Sequence, residues 1–121
     1  MTMRNAMVIK TDGTIHGIDL GTNAQEEYEA LSDAVGGYIQ QVPLDDSGMM
    51  LFCNEEGKLI GLPYNEGATN VWVKYWGQTD VMVGDCVITG DIDWDSEMTV
   101  GLTPAQVLEV GVTARGQTFD R

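Results

Sequence analysis

Apolar residues in this chain come in short blocks, and tight turn signals separate most consecutive blocks. Ala6 to Lys10 (AMVIK) and Ile15 to Leu20 flank Thr11-Asp12-Gly13-Thr14, an Asp-Gly hairpin signal. Tyr38 to Leu44, with Pro43 marking an edge or bulge, leads into the turn Asp45-Asp46-Ser47-Gly48. Met49 to Cys53 (MMLFC) follows as a continuous apolar run suited to the middle of a sheet. Asn54-Glu55-Glu56-Gly57 then turns the chain back through Lys58 to Leu62, which reads as a second hairpin. A connection this short cannot carry a parallel crossover, which needs roughly a dozen residues. The pattern therefore predicts an antiparallel sheet and the α+β class.

Further strands are predicted at Val71 to Trp76 (VWVKYW), at Val81 to Val83 and at Cys86 to Ile88, with Pro63 to Asn70 irregular. Two segments read as helices, one long and one short. Asn23 with Glu26 three residues on forms a capping box for Ala24 to Val35, and Gly36-Gly37 supplies the stop. Tyr28, Leu31 and Val35 are expected to face the core, with Glu26, Glu29 and Asp33 outward. Thr103 and Gln106 make a second box around Pro104, opening a helix expected to end at Gly111. Residues 112–121 are polar and are expected to fray. At 121 residues the chain suits one domain, 1–121.

Composition limits what such a domain can do. Nineteen Asp and Glu stand against six Lys and Arg, for a net charge of −13. From Thr11 to Gly57 there are ten acids and no base, and from Tyr75 to Ala114 seven acids and no base. A field of that sign repels nucleic acid and anionic membranes and attracts cationic surfaces. High acidity also serves solubility or salt adaptation, so charge alone does not assign a role. The N-terminal residues lack the apolar core of a secretory signal, and no apolar run is long enough to span a membrane, so a cytoplasmic location is expected. Cys53 and Cys86 sit in apolar blocks without CxxC spacing and read as buried free thiols, although neighbouring strands would permit a disulfide. His16, the sole histidine, reads as a partly exposed strand residue.

Enzyme signatures are missing. The glycines make no phosphate-binding loop, and no second histidine or Gly-x-Ser-x-Gly supports a nucleophilic triad. No catalytic residue, metal or cofactor is expected. Asp91, Asp93, Asp95 and Glu97 alternate like a calcium loop, but Ser96 and Leu102 stand where an EF-hand needs Gly and Glu. They read instead as an extended arm with Trp94 and Met98 inward and an acid every ~6.8 Å outward, a spacing able to imitate a phosphate track.

Several blocks carry a family resemblance. Tyr28-Glu29-Ala30-Leu31, Val35-Gly36-Gly37-Tyr38-Ile39, Cys53-Asn54-Glu55-Glu56-Gly57-Lys58-Leu59, Gly61-Leu62-Pro63-Tyr64-Asn65 and Val83-Gly84-Asp85 resemble a family of small bacteriophage and conjugative-element proteins that has no assigned activity. The likeness spans roughly residues 6 to 90, and Glu66 stands where a basic residue is expected. It implies a mobile-element protein of the bacterial cytoplasm. The resulting expectation is a non-enzymatic accessory protein that binds a host or phage protein with a basic surface, as a nucleic-acid mimic or anti-defence inhibitor. Asp91, Asp93, Asp95, Glu97, Glu26, Glu29 and Asp33 are its contact residues. No direct contact with nucleic acid or membrane is expected, while exposed strands would permit homo-oligomers. The alternative is a nucleotide-like ligand held by Asn54, Glu55, Asn65, Trp72 and Trp76.

Overall fold

The Asp12-Gly13 turn joins β1 (Asn5–Ile9) to β2 (Ile15–Asp19) in antiparallel register. Gly13 takes φ 92°, and the Asp12 carboxylate accepts the Thr14 amide (2.9 Å) and hydroxyl (2.6 Å), closing the turn locally. His16 is an exposed β2 residue, as expected. The chain is described here by a computed structural model, over residues 4–116. The second hairpin pairs β3 (Ile39–Pro43) with β4 (Met49–Asn54), Val42 facing Leu51. Its turn places Asp45 and Gly48 in the left-handed region.

β4 thus pairs with the strand before it, and the expected return strand at Lys58–Leu62 does not form. Residues 55–61 fold instead into successive hydrogen-bonded turns, with Ile60 N donating to Glu56 O and Leu62 N to Gly57 O. β5 (Cys86–Gly90) lies between the hairpins, bonded to β1 on one side and β4 on the other. The sheet order is β2-β1-β5-β4-β3, antiparallel throughout. The expected strand at Val81 to Val83 reduces to a single bridge between Val83 and Tyr64.

Helices cover both faces. α1 (Ala24–Val35) begins with the Asn23 side chain accepting the Glu26 amide and ends at Gly36, φ 78°. Leu31 and Val35 pack on Ala6, Val8, Phe52 and Val87. Tyr28 does not face the core: it is 43% exposed, and Glu27 takes the buried position. The other face carries Met7, Ile9, Leu51, Cys86 and Ile88 beneath α2 (Glu66–Trp76) and α3 (Pro104–Ala114). Strand residues alternate between these two layers, which is why β5 is buried along its whole length.

α2 replaces the strand expected at Val71–Trp76. Asn65 caps it by accepting the Ala68 amide at 2.9 Å, and Ala68, Val71, Trp72 and Tyr75 turn to the core at helical spacing. α3 has the expected capping box but runs through Gly111 to Ala114. Residues 112–114 are therefore helical rather than frayed, and 117–121 lie outside the described residues. Three helices of similar length result, in place of one long and one short. The segment from Asp91 to Glu97 is no extended arm. β6 (Ile92–Asp93) and β7 (Met98–Thr99) make a small hairpin closed by Glu97 at φ 60°, and Trp94 is 79% exposed at its tip rather than inward.

Candidate interaction surface

Cations are distributed sparingly among the carboxylates. Lys10 pairs with Asp85 (3.4 Å), Lys58 with Asp80, and Lys74 with Glu109. Arg4 meets Glu27 at 2.6 Å, both nearly buried. Four of the basic side chains thus engage acids outside the seven expected contact residues. Among the described residues, none of Glu26, Glu29, Asp33, Asp91, Asp93, Asp95 and Glu97 has a cation within salt-bridge distance. All seven are exposed.

Glu27 brings the two acidic segments together. Its Oε1 accepts Arg4 Nη1 (2.6 Å), Thr99 N (3.0 Å) and Thr99 Oγ1 (2.8 Å), tying α1 to β7. Arg4 also donates to Thr99 O, Leu20 O and Gly21 O, so its guanidinium is surrounded by acceptors. A buried carboxylate with this partner set is stable where an isolated one would not be. The β6–β7 hairpin therefore stands beside α1. Within it Asp91 and Asp93 accept the amides of Ile92 and Asp95, which fixes the tip. The acids cluster on a tight turn and do not form a regular phosphate-like row. Among the described residues no group of His, Cys, Asp or Glu is arranged to hold a metal ion.

Local bonds set the acidity of some exposed carboxyls. Thr22, through its amide and then its hydroxyl, holds Glu26 below the ordinary carboxyl value, so Glu26 closes the start of α1 with Thr22 rather than with Asn23. The Lys58 ammonium does the same for Asp80.

The five residues expected to hold a ligand are divided. Asn54, Glu55 and Trp72 line one cleft of about 350 Å³, with Gln40, Cys53 and Lys58. Trp72 is held by its indole N–H donating to Thr79 Oγ1 (3.0 Å). Asn65 lies elsewhere and is fully buried, its amide donating to Ile9 O and Gly84 O at 2.8 Å each. Trp76 donates to Pro43 O and packs tilted against Trp72, 6.1 Å between rings. The Asn54 amide is likewise engaged, donating to Val35 O and accepting Glu56 N.

With this geometry established, comparison with known proteins adds one result. A family model described as a domain of unknown function, DUF3846, matches residues 3–113. The chain belongs to the DUF3846 family. No curated protein and no solved structure matches it. The DUF3846 match extends past the likeness seen over residues 6 to 90 and takes in the β6–β7 hairpin and almost all of α3. No described helix of this DUF3846 chain is long and apolar enough to cross a membrane. Cys53 and Cys86 are free thiols on the neighbouring strands β4 and β5, Cys86 buried and Cys53 half-buried at the cleft.

Proposed function

We propose that this DUF3846 protein is a non-enzymatic binding protein that engages a basic protein surface through its acidic face. The observation that carries this reading is that, among the described residues, none of the seven exposed carboxylates of α1 and the β6–β7 hairpin has a cation within salt-bridge distance. Arg4, beside Asp93 and within reach of Glu26, offsets part of their field, and solvent screens the rest over about 10 Å in dilute salt; what remains accelerates encounter with an oppositely charged partner. Trp94, exposed at the hairpin tip among Asp93, Asp95 and Glu97, offers an indole face to an incoming guanidinium. The setting we infer is a mobile-element accessory protein in a bacterial cytoplasm. Its partner is a host or phage protein that itself binds nucleic acid, and occupying that basic surface inhibits it, as an anti-defence protein would.

The test is affinity capture from bacterial lysate on immobilised protein. Wild type should retain a basic protein that high salt releases. Conversion of the seven acids to Asn or Gln should abolish retention, and Trp94→Ala should weaken it about tenfold, the scale of an interface anchor. Retention unchanged by neutralisation would remove the acidic face as the binding surface.

A second reading, sequestration of a nucleotide-like molecule, is supported by Trp72 and Glu55 sharing a cleft of about 350 Å³. That volume is at the small end for ligand sites. Thermal shift against nucleosides and nucleotides tests it: saturable stabilisation, lost in Trp72→Ala, is the expected result. A flat response across the set disposes of it.

A further inference from the structure

The turns between β4 and α2 hold two large aliphatic side chains away from the core. Leu59 is 88% exposed and Ile60 61%. Isolated exposed aliphatics are ordinary, but these belong to a coherent patch. Leu59 lines the cleft with Trp72 and Val81, while Ile60 lines a second cleft with Tyr28 and Tyr38. Each cleft is about 350 Å³, and Asn54 lies in the wall of both. Leu59 and Ile60 therefore form a ridge with an aromatic-walled groove on either side.

This ridge is braced from beneath. Glu55 N donates to Tyr38 O (2.9 Å), Ile60 N to Glu56 O (3.0 Å) and Gly84 N to Pro63 O (2.7 Å). At Gly57 a Cβ would stand 3.1 Å from Val83 Cγ2 and 3.3 Å from Asn54 O, so the turn is packed tightly under the exposed residues. Such bracing forgoes the burial of two large aliphatics. It also presents them with little ordering left to lose on contact.

The rim is anionic. Glu55 borders one groove and Glu56 the other, and neither is in a described salt bridge, whereas Lys58 is neutralised by Asp80. A second copy of this chain would set like charges face to face, which disfavours it as the occupant.

We propose that the Leu59–Ile60 ridge docks a protein segment presenting apolar side chains flanked by Lys or Arg. The partner's apolar side chains enter the two grooves astride the ridge, and its cations reach Glu55 and Glu56. This surface is separate from the β6–β7 hairpin and does not depend on it.

The test titrates isotope-labelled protein with two synthetic peptides of equal charge, an amphipathic Leu–Lys helix and a copy with Ser for each Leu. The Leu peptide should bind at least about tenfold tighter and shift the amides of Tyr38, Leu59 and Ile60. Leu59→Ser with Ile60→Ser should erase that preference at unchanged Tm, since neither side chain supports the core. Glu55→Lys with Glu56→Lys should weaken the Leu peptide. Asp91→Asn, Asp93→Asn, Asp95→Asn and Glu97→Gln together should leave the preference intact, which separates this proposal from the acidic-face reading. Equal affinity for the two peptides, no binding of either, or shifts confined to Asp91–Glu97 would overturn it. So would a wild-type dimer that the Leu59 and Ile60 variants dissolve.

Discussion

The Asn65 side chain makes three bonds: two donated to Ile9 O and Gly84 O, and one accepted from Ala68 N. It joins β1, the segment before β5 and the start of α2, and an amide alone supplies both the donors and the acceptor. Asn65→Asp removes the two donors and faces a carboxylate with two carbonyls in a fully buried site. Destabilisation of about 3 kcal/mol is expected in urea unfolding, and a loss under 1 kcal/mol would contradict this account. The identity of Asn65 was visible in the Leu-Pro-Tyr-Asn block, but its orientation was not, because an asparagine after proline suits a turn, a cap or a ligand site equally. Glu27 evaded sequence reasoning for a related reason. Apolar periodicity ranks Tyr28 above a glutamate as a core residue, and the compensating Arg4 lies 23 positions away. The thiols differ in reactivity. Burial pushes the Cys86 thiol far up and raises Cys53 less far. At neutral pH an alkylating reagent should modify Cys53 slowly and Cys86 only on unfolding. Rapid modification of both would show that β5 opens locally.

Among the elements, the β1–β2 hairpin, the strands β3 and β4 with the turn between them, α1 and α3 were legible because turn residues and capping boxes mark them at fixed offsets, whereas the hairpin read across Asn54–Gly57 does not form. α2 was misread. Its VWVKYW stretch is rich in β-branched and aromatic residues, and those propensities point to a strand. The spacing of Ala68, Val71, Trp72 and Tyr75, with Asn65 as cap and Gly77 as stop, was the competing signal, and tertiary packing decided for it. The β6–β7 hairpin was misread because alternation of acids with apolar residues fits an extended strand and a tight turn alike, and Glu97 carries the positive φ that is usually left to glycine. Of the candidate sites, the hairpin acids and the α1 acids were named correctly as exposed, whereas the Glu27 clamp that joins them has no local signature. Removing that clamp by Glu27→Ala leaves the Arg4 cation without its counter-charge and the Thr99 amide and hydroxyl without their acceptor. A cost of about 3–5 kcal/mol is expected from chemical denaturation. Amide exchange should accelerate in β6, β7 and the first turns of α1 before the rest of the sheet.

For the molecule as a whole, a net charge of −13 makes self-repulsion a standing cost of the folded state. Added salt at neutral pH should therefore raise Tm, since screening acts mainly on exposed charges. Acid adds an opposing effect. Asp12 is held low by the Thr14 hydroxyl and amide, Asp80 by Lys58 and Glu26 by Thr22. Their contribution is fully present above the ordinary values of 3.8 for Asp and 4.5 for Glu, and is lost as pH falls through the lower folded values. Protonation elsewhere relieves repulsion over the same range. The decline of Tm below about pH 4.5 should accordingly be steeper in high salt, where no repulsion remains to be relieved. An identical slope at both ionic strengths would show that long-range charge has little weight here. The position of β5 has a consequence for biosynthesis. A ribosome delivers both hairpins before the strand that welds them, so the nascent chain must shelter two unpaired borders, those of β1 and β4, until Cys86–Gly90 emerges and unites them in one late event.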